Sequence, residues 1–155
     1  MRTNRQGLKL VSHDGRLSGP AKEQANPITE NDYLILTAWR DALRGFMTAS
    51  KAILKQANVT SNQYQALLAI RFGSEREQLT VGELARNLHI RHNSAVTLIN
   101  KLVERGVVRR VASHKDRRVV YLHLTTRGET ALRKLVTAHR RELDATAPVL
   151  RKILP

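Results

Sequence analysis

Residues 79–128 read LTVGELARNLHIRHNSAVTLINKLVERGVVRRVASHKDRRVVYLHLTTRG, and this stretch decides the architecture. Thr80 and Glu83 stand three apart ahead of an apolar run, the spacing of a reciprocal helix cap, so a short helix is expected to about Leu88. A turn over His89–His92 leads into a second helix from about Asn93 to Arg105, with Ala95, Val96, Ile99, Leu102 and Val103 inward. Gly106 stands where a left-handed C-terminal cap is wanted. The character then changes. Val107–Val111 and Val119–Leu124 are rich in Val, Leu and Tyr and flank the polar turn Ala112–Arg118, the pattern of a β-hairpin.

Working outward, Thr60 with Gln63 opens a helix whose stripe Tyr64, Leu67, Leu68 and Phe72 is read as buried, with Gly73 as its C-terminal cap. Thr29 with Asp32 opens a longer helix carrying Leu36, Trp39, Leu43, Phe46, Met47, Ile53 and Leu54. On the other side, Thr125/Thr126 with Glu129 opens a last long helix carrying Ala131, Leu132, Leu135, Val136, His139 and Leu143. Pro148 is read as its end, followed by a short piece bearing Val149, Leu150, Ile153 and Leu154. The chain thus divides into a flexible basic arm, 1–28, and one domain, 29–155. Within the domain, 60–124 form a compact lobe and 29–57 and 126–155 the outer helices. The expected fold is mainly α with a small β wing, a winged helix-turn-helix. Its long N- and C-terminal helices are too apolar to stand in water and are read as a dimerisation region.

Charge agrees with that plan. The chain has 155 residues with Lys+Arg 27 against Asp+Glu 13, a net charge of +14. The densest excess lies inside the hairpin-and-helix unit. There Arg91, Lys101, Arg105, Arg109, Arg110, Lys115, Arg117 and Arg118 face only Glu104 and Asp116. A pI near 11.2 favours an anionic partner, nucleic acid above all. A helix of this size fits the major groove, and a basic hairpin beside it can reach the adjacent minor groove. Cys is absent, which excludes disulfides, thiol catalysis and a cysteine zinc site. His89 and His92 fall in a turn with no acid or Cys beside them, so neither a metal nor a cofactor is expected. No Gly-rich phosphate loop, Gly-x-Ser-x-Gly or paired carboxylate set is present, so the chain is not read as an enzyme. The first thirty residues lack the continuous apolar stretch of a secretory signal, and no apolar run is long enough to span a membrane. The expectation is a cytoplasmic protein.

The stretch from Leu79 to Gly128 resembles the MarR-type transcriptional regulators. The most specific parts are Leu84-Ala85, Leu102…Gly106-Val107-Val108-Arg109-Arg110, Asp116-Arg117-Arg118 and Leu124-Thr125…Gly128. The resemblance implies a dimeric DNA-binding regulator, usually a repressor, that reads a palindromic operator and is often relieved by a small phenolic or anionic effector. It implies that Arg118 enters the minor groove with Asp116 orienting it, while Arg117 faces phosphate. His92, Asn93, Ser94, Thr97 and Lys101 would meet the major groove, beside Arg91 at the helix start. Of Arg109 and Arg110, one is read as a phosphate contact or solvated, the other as paired with an acid. Three positions depart from the family's pattern: Arg91 where Ser or Thr is common, His89 where Gly is common, and Asn100 where an acid is common. Trp39, Arg40, Tyr64 and Arg71 offer ring faces and positive charge where the outer helices meet the lobe, which suits a small aromatic acid. The competing readings are a non-sensing architectural DNA- or RNA-binding protein and a winged helix that binds protein. The basic window disfavours the second of these, and the long apolar helices disfavour the first.

Overall fold

The computed structural model describes residues 27–76 and 79–153. Of the arm read over 1–28, residues 1–26 lie outside the described residues, as do Leu154 and the side chains of Val149, Leu150 and Ile153. Seven elements follow in order: α1 (Glu30–Gln56), α2 (Ser61–Arg76), α3 (Val81–Asn87), α4 (His92–Glu104), β1 (Val108–Ala112), β2 (Val120–Leu124) and α5 (Thr126–Ile153).

Three of the helices start on the reciprocal caps expected of them. The Asp32 carboxylate accepts from the Thr29 backbone N–H at 2.7 Å, and the Thr29 hydroxyl accepts from the Asp32 N–H at 3.3 Å. Gln63 and Thr60 repeat the arrangement at 3.0 and 3.2 Å. Glu83 and Thr80 do so at 2.7 and 3.3 Å. The Thr80 N–H, then its hydroxyl, hold the Glu83 carboxyl below its ordinary range. The fourth cap differs from the sequence reading. Thr125 is the capping residue, its hydroxyl accepting from the Gly128 N–H at 3.0 Å. Glu129 therefore lies one residue too far along to reciprocate, and its carboxylate sits 3.4 Å from Arg71 Nε.

Helix ends supply two further corrections. Gly73 does not terminate α2, which runs on to Arg76. A Cβ at 73 would lie 3.0 Å from Leu79 Cβ, so the glycine admits the close approach of the next segment. Nor does Pro148 end α5, which continues to Ile153. A proline costs its own N–H bond and crowds one carbonyl, and a helix can carry that locally where its remaining ladder holds.

The core forms where the lobe's elements meet. Ile70, Leu84, Ile99, Leu102 and Leu122 are its largest fully buried side chains, joined by Ala66, Leu67, Leu79, Val107, Val108 and Leu132. The buried stripe of α2 is thus Gln63, Ala66, Leu67 and Ile70, rotated from the expected one; Leu68 and Phe72 are both 38% exposed. The rotation follows from what covers the helix, since α2 must face both β2 and α5, and its small Ala66 allows that closeness. The hairpin pairs antiparallel with Val108 opposite Leu124 and Arg110 opposite Leu122. The segment before α3 adds a partial third strand: the Leu122 N–H donates to the Leu79 carbonyl at 2.8 Å, and Thr80 bridges Tyr121.

Outside the lobe, α1 and α5 pack along each other. His139 is buried between them, its Nε2 2.9 Å from Ser50 Oγ and its Nδ1 2.8 Å from the Leu135 carbonyl. Its ring stacks on Tyr64 with centroids 4.5 Å apart, and burial pushes the Tyr64 hydroxyl above its ordinary range. Other apolar positions of the pair face outward. Leu36, Leu43, Met47, Val136 and Leu143 are all exposed on the single chain.

One glycine is dictated by contact. A Cβ on Gly128 would lie 2.0 Å from the Val107 carbonyl oxygen, a backbone atom that cannot swing aside. Gly128→Ala should therefore destabilise the fold by ~3 kcal/mol or more, read as a lower urea midpoint at unchanged slope.

Candidate nucleic-acid interface

Two elements present the basic surface, the start of α4 and the hairpin tip. The link from α3 to α4 is short because His89 takes a left-handed conformation, φ 51°, where glycine is the easier residue. Arg91 then occupies the N-cap position of α4 and makes no side-chain cap bond. Neither His92 nor Asn93 supplies one instead, so the first N–H groups of the helix remain turned outward. The sequence rule that asks for Ser, Thr, Asp or Asn at this position is not met. Arg91, His92, Asn93, Ser94, Thr97 and Lys101 are all exposed, while Ala95, Ile99 and Leu102 on the opposite face are buried. The Thr97 hydroxyl donates to the Asn93 carbonyl at 3.0 Å.

At the hairpin tip, Ser113 is buried and organises the turn, its hydroxyl accepting from the Lys115 N–H at 3.2 Å. The Asp116 carboxylate accepts from the Arg118 N–H at 3.0 Å, and Arg118 Nε lies 3.4 Å from the same oxygen. The Arg118 side chain is nevertheless 93% exposed, held at its base and free at its end. Arg117 beside it is exposed.

A brace joins the two elements that the sequence left undecided. Arg110 Nη2 on β1 donates to Asn100 Oδ1 on α4 at 2.8 Å. Of the two strand arginines, Arg110 is thus the paired one. Its acceptor is a neutral amide and not an acid. At the far end of α4, Arg105 Nη1 donates to the Asn58 carbonyl at 2.8 Å, which ties the helix to the turn between α1 and α2. Sequence reasoning missed that strut, because Asn58 is 47 residues away. Its one sign was an Asn at a helix end, and Asn58 indeed adopts φ 52°.

The residues read as an effector pocket are less closely assembled. Tyr64 stacks on His139, Arg71 faces Glu129, and Trp39 and Arg40 lie on the exposed side of α1. Among the described residues no cluster of His, Asp and Glu could hold a metal, and no helix is long and apolar enough to cross a membrane.

Two helices joined by a tight turn, followed by a two-stranded wing with its cations outward, define a winged helix-turn-helix protein. A family model described as MarR family matches residues 57–119. The chain is 32% identical over 109 residues to the HTH-type transcriptional regulator FarR of Neisseria gonorrhoeae, covering 70% of this chain and 73% of that protein. The chain belongs to the MarR family of transcriptional regulators. Among solved structures, NadR in complex with 4-hydroxyphenylacetate is similar at TM-score 0.60 and 29% identity, covering 84% of this chain and 86% of that one. The S. aureus MepR–DNA complex is similar in fold at TM-score 0.59 and 20% identity, covering 70% and 79%.

The neutral brace gives a direct test of how α4 and the wing are held together. Asn100→Asp should convert the bond to Arg110 into an ion pair and raise stability by about 0.3–1 kcal/mol at low salt. That gain should vanish by 1 M NaCl, since exposed pairs are screened; thermal melts at both salt concentrations measure it.

Proposed function

We propose that this chain acts as a homodimeric, sequence-specific DNA-binding repressor that reads a palindromic operator and releases it on binding a small aromatic acid. The observation that carries the DNA reading is the uncapped, outward-facing start of α4, set beside a wing whose tip arginine is anchored only at its base. In this reading Arg91, His92, Asn93, Ser94, Thr97 and Lys101 meet the major groove, Arg118 enters the minor groove oriented by Asp116, and Arg117 meets phosphate. The MepR–DNA complex, a relative in fold, supports it. The exposed apolar positions Leu36, Leu43, Met47 and Leu143 on the outer helices support the dimer. A two-fold pair would place its recognition helices about one DNA turn, ~34 Å, apart. The effector reading rests on Trp39, Arg40, Tyr64 and Arg71, and on NadR, whose structure holds 4-hydroxyphenylacetate. In it Arg71 shares its guanidinium between Glu129 and the ligand carboxylate.

Binding assays on an operator selected from random-sequence DNA test the division of labour in the wing. Arg118→Ala should cost about 1–3 kcal/mol, most where the DNA under the wing is A·T-rich and its minor groove narrow. Arg117→Ala should instead weaken every sequence alike and lower the salt slope by about one. Identical behaviour of the two variants on all DNA would refute that assignment.

Deleting residues 146–155 should give monomer or aggregate by light scattering and abolish tight operator binding. A truncated chain that stays dimeric and binds normally would remove the dimer from the proposal.

Benzoate, salicylate and hydroxycinnamate should release DNA at millimolar concentration or below and change Trp39 fluorescence. A ligand that binds both DNA-affinity states equally would shift nothing, so release is the decisive readout. Silence in both measurements rejects the aromatic-acid effector.

A further inference from the structure

The turn between α3 and α4 gathers an arginine and two histidines around one hollow. It is open, about 560 Å³ in volume, and lined by Gly82, Ala85, Arg86, His89, Ile90 and His92. Arg86, His89 and His92 are all exposed. Gly82 and Ala85 are small, and Arg86 Nη1 lies 3.9 Å from where a Gly82 Cβ would stand, so the guanidinium folds over a low floor. Among the described residues no acid lines the hollow. Glu83, the acid of α3, spends its carboxylate on the Thr80 N–H and hydroxyl at 2.7 and 2.8 Å. Glu83, His114 and His123 line a separate hollow against the wing, and Glu104 stands at the far end of α4. Neither α2 nor β2, which also pack on α3, contributes a lining residue. Arg91, exposed between the two histidines, adds a further positive charge. His89 holds φ 51°, which glycine takes more easily, so an imidazole is kept where it costs backbone strain.

With α4 in the major groove, α3 crosses the sugar–phosphate backbone, and the hollow between them meets a phosphate. Arg86 brings a permanent charge to it. A neutral imidazole offers a single N–H, while its cation offers two and a charge. An anion beside the ring favours the charged form, so binding draws protons from solution. We propose, on the DNA reading given above, that Arg86, His89 and His92 clamp one backbone phosphate. The two imidazoles take up protons as it binds, and DNA affinity therefore rises as the pH falls through the histidine range. The sign follows from the protons. Imidazoles already charged at the lower pH bind without further cost, and neutral ones must first be protonated. No other side chain changes charge, unperturbed, across that range. A phosphate that favours each imidazolium tenfold changes affinity roughly fourfold per ring between about pH 7.5 and 6.0.

Affinity of the full-length protein for an operator selected from random-sequence DNA, measured at about pH 7.5 and 6.0 at fixed ionic strength, tests this. It should rise about tenfold at the lower pH, and by the same factor on a random duplex, because a phosphate contact carries no sequence information. His89→Gln with His92→Gln should cut that ratio to below about twofold. His89→Gly should leave roughly a fourfold response and raise the melting temperature, since glycine suits the left-handed turn. Relief of strain alone would move only the melting temperature. His114→Gln with His123→Gln, in the neighbouring hollow, should leave the full ratio. Arg86→Gln should weaken binding alike at both pH values and lower the salt slope by about one. A pH ratio that survives in the folded His89 and His92 double variant overturns the proposal. A response confined to the operator overturns the phosphate assignment. A protein that binds no DNA at either pH removes the DNA reading and this proposal together, whereas operator binding with a flat pH profile removes this proposal alone.

Discussion

The chain crosses itself at one point, and the geometry of everything else hangs on it. Gly106 and Val107, leaving α4, meet Thr125 and Gly128, entering α5. The Thr125 hydroxyl donates to the Gly106 carbonyl at 2.7 Å while its N–H donates to the Val107 carbonyl at 3.1 Å. Gly106 takes φ 66° to make the exit, and Gly128 has no Cβ to obstruct it. The end of the recognition helix and the start of the last long helix are therefore one rigid corner. Backbone groups on both sides of that corner are already spent on each other.

A second tie works from the opposite direction. Arg105, one residue before the corner, reaches back to Asn58 between α1 and α2. The helix α4 is thus anchored at its C-terminal end to both outer helices, while its N-terminal end carries no side-chain cap and leaves Arg91, His92, Asn93 and Ser94 exposed. One end is fixed and the other is exposed.

Much of this was readable from residue spacing alone. Thr29/Asp32, Thr60/Gln63 and Thr80/Glu83 located three helix starts to within a residue, because a reciprocal cap is a local interaction settled by four consecutive positions. The wing was plain from its β-branched runs, and the buried face of α4 from its period. The failures were of another kind. Leu68 and Phe72 seemed inward because hydrophobicity cannot tell which of two apolar faces the neighbours will cover. Gly73 seemed a helix end because a glycine that admits Leu79 and a glycine that caps look alike in a sequence. Glu129 seemed a capping partner until Thr125, not Thr126, took the first position. The residues named for the DNA-facing surface on α4 and the wing are all exposed, as a helix period and a hairpin pattern let one read. The partner of Arg110 and the reach of Arg105 were invisible, since both are contacts between segments far apart or between unlike charge types.

The brace from Arg110 to Asn100 has a consequence for the molecule's electric field. An acid at 100 would hold the arginine somewhat more tightly at low salt but cancel its charge when seen from a distance. The amide fixes the guanidinium in space and leaves its full positive charge projecting from the face that carries α4 and the wing. At separations of a Debye length or so, an approaching polyanion responds to the summed charge and not to individual bonds. Stiffness of the wing and attraction at long range, which compete wherever a salt bridge does the bracing, are here obtained together. The effect belongs to the speed of encounter and should fade as salt rises, leaving the brace itself untouched.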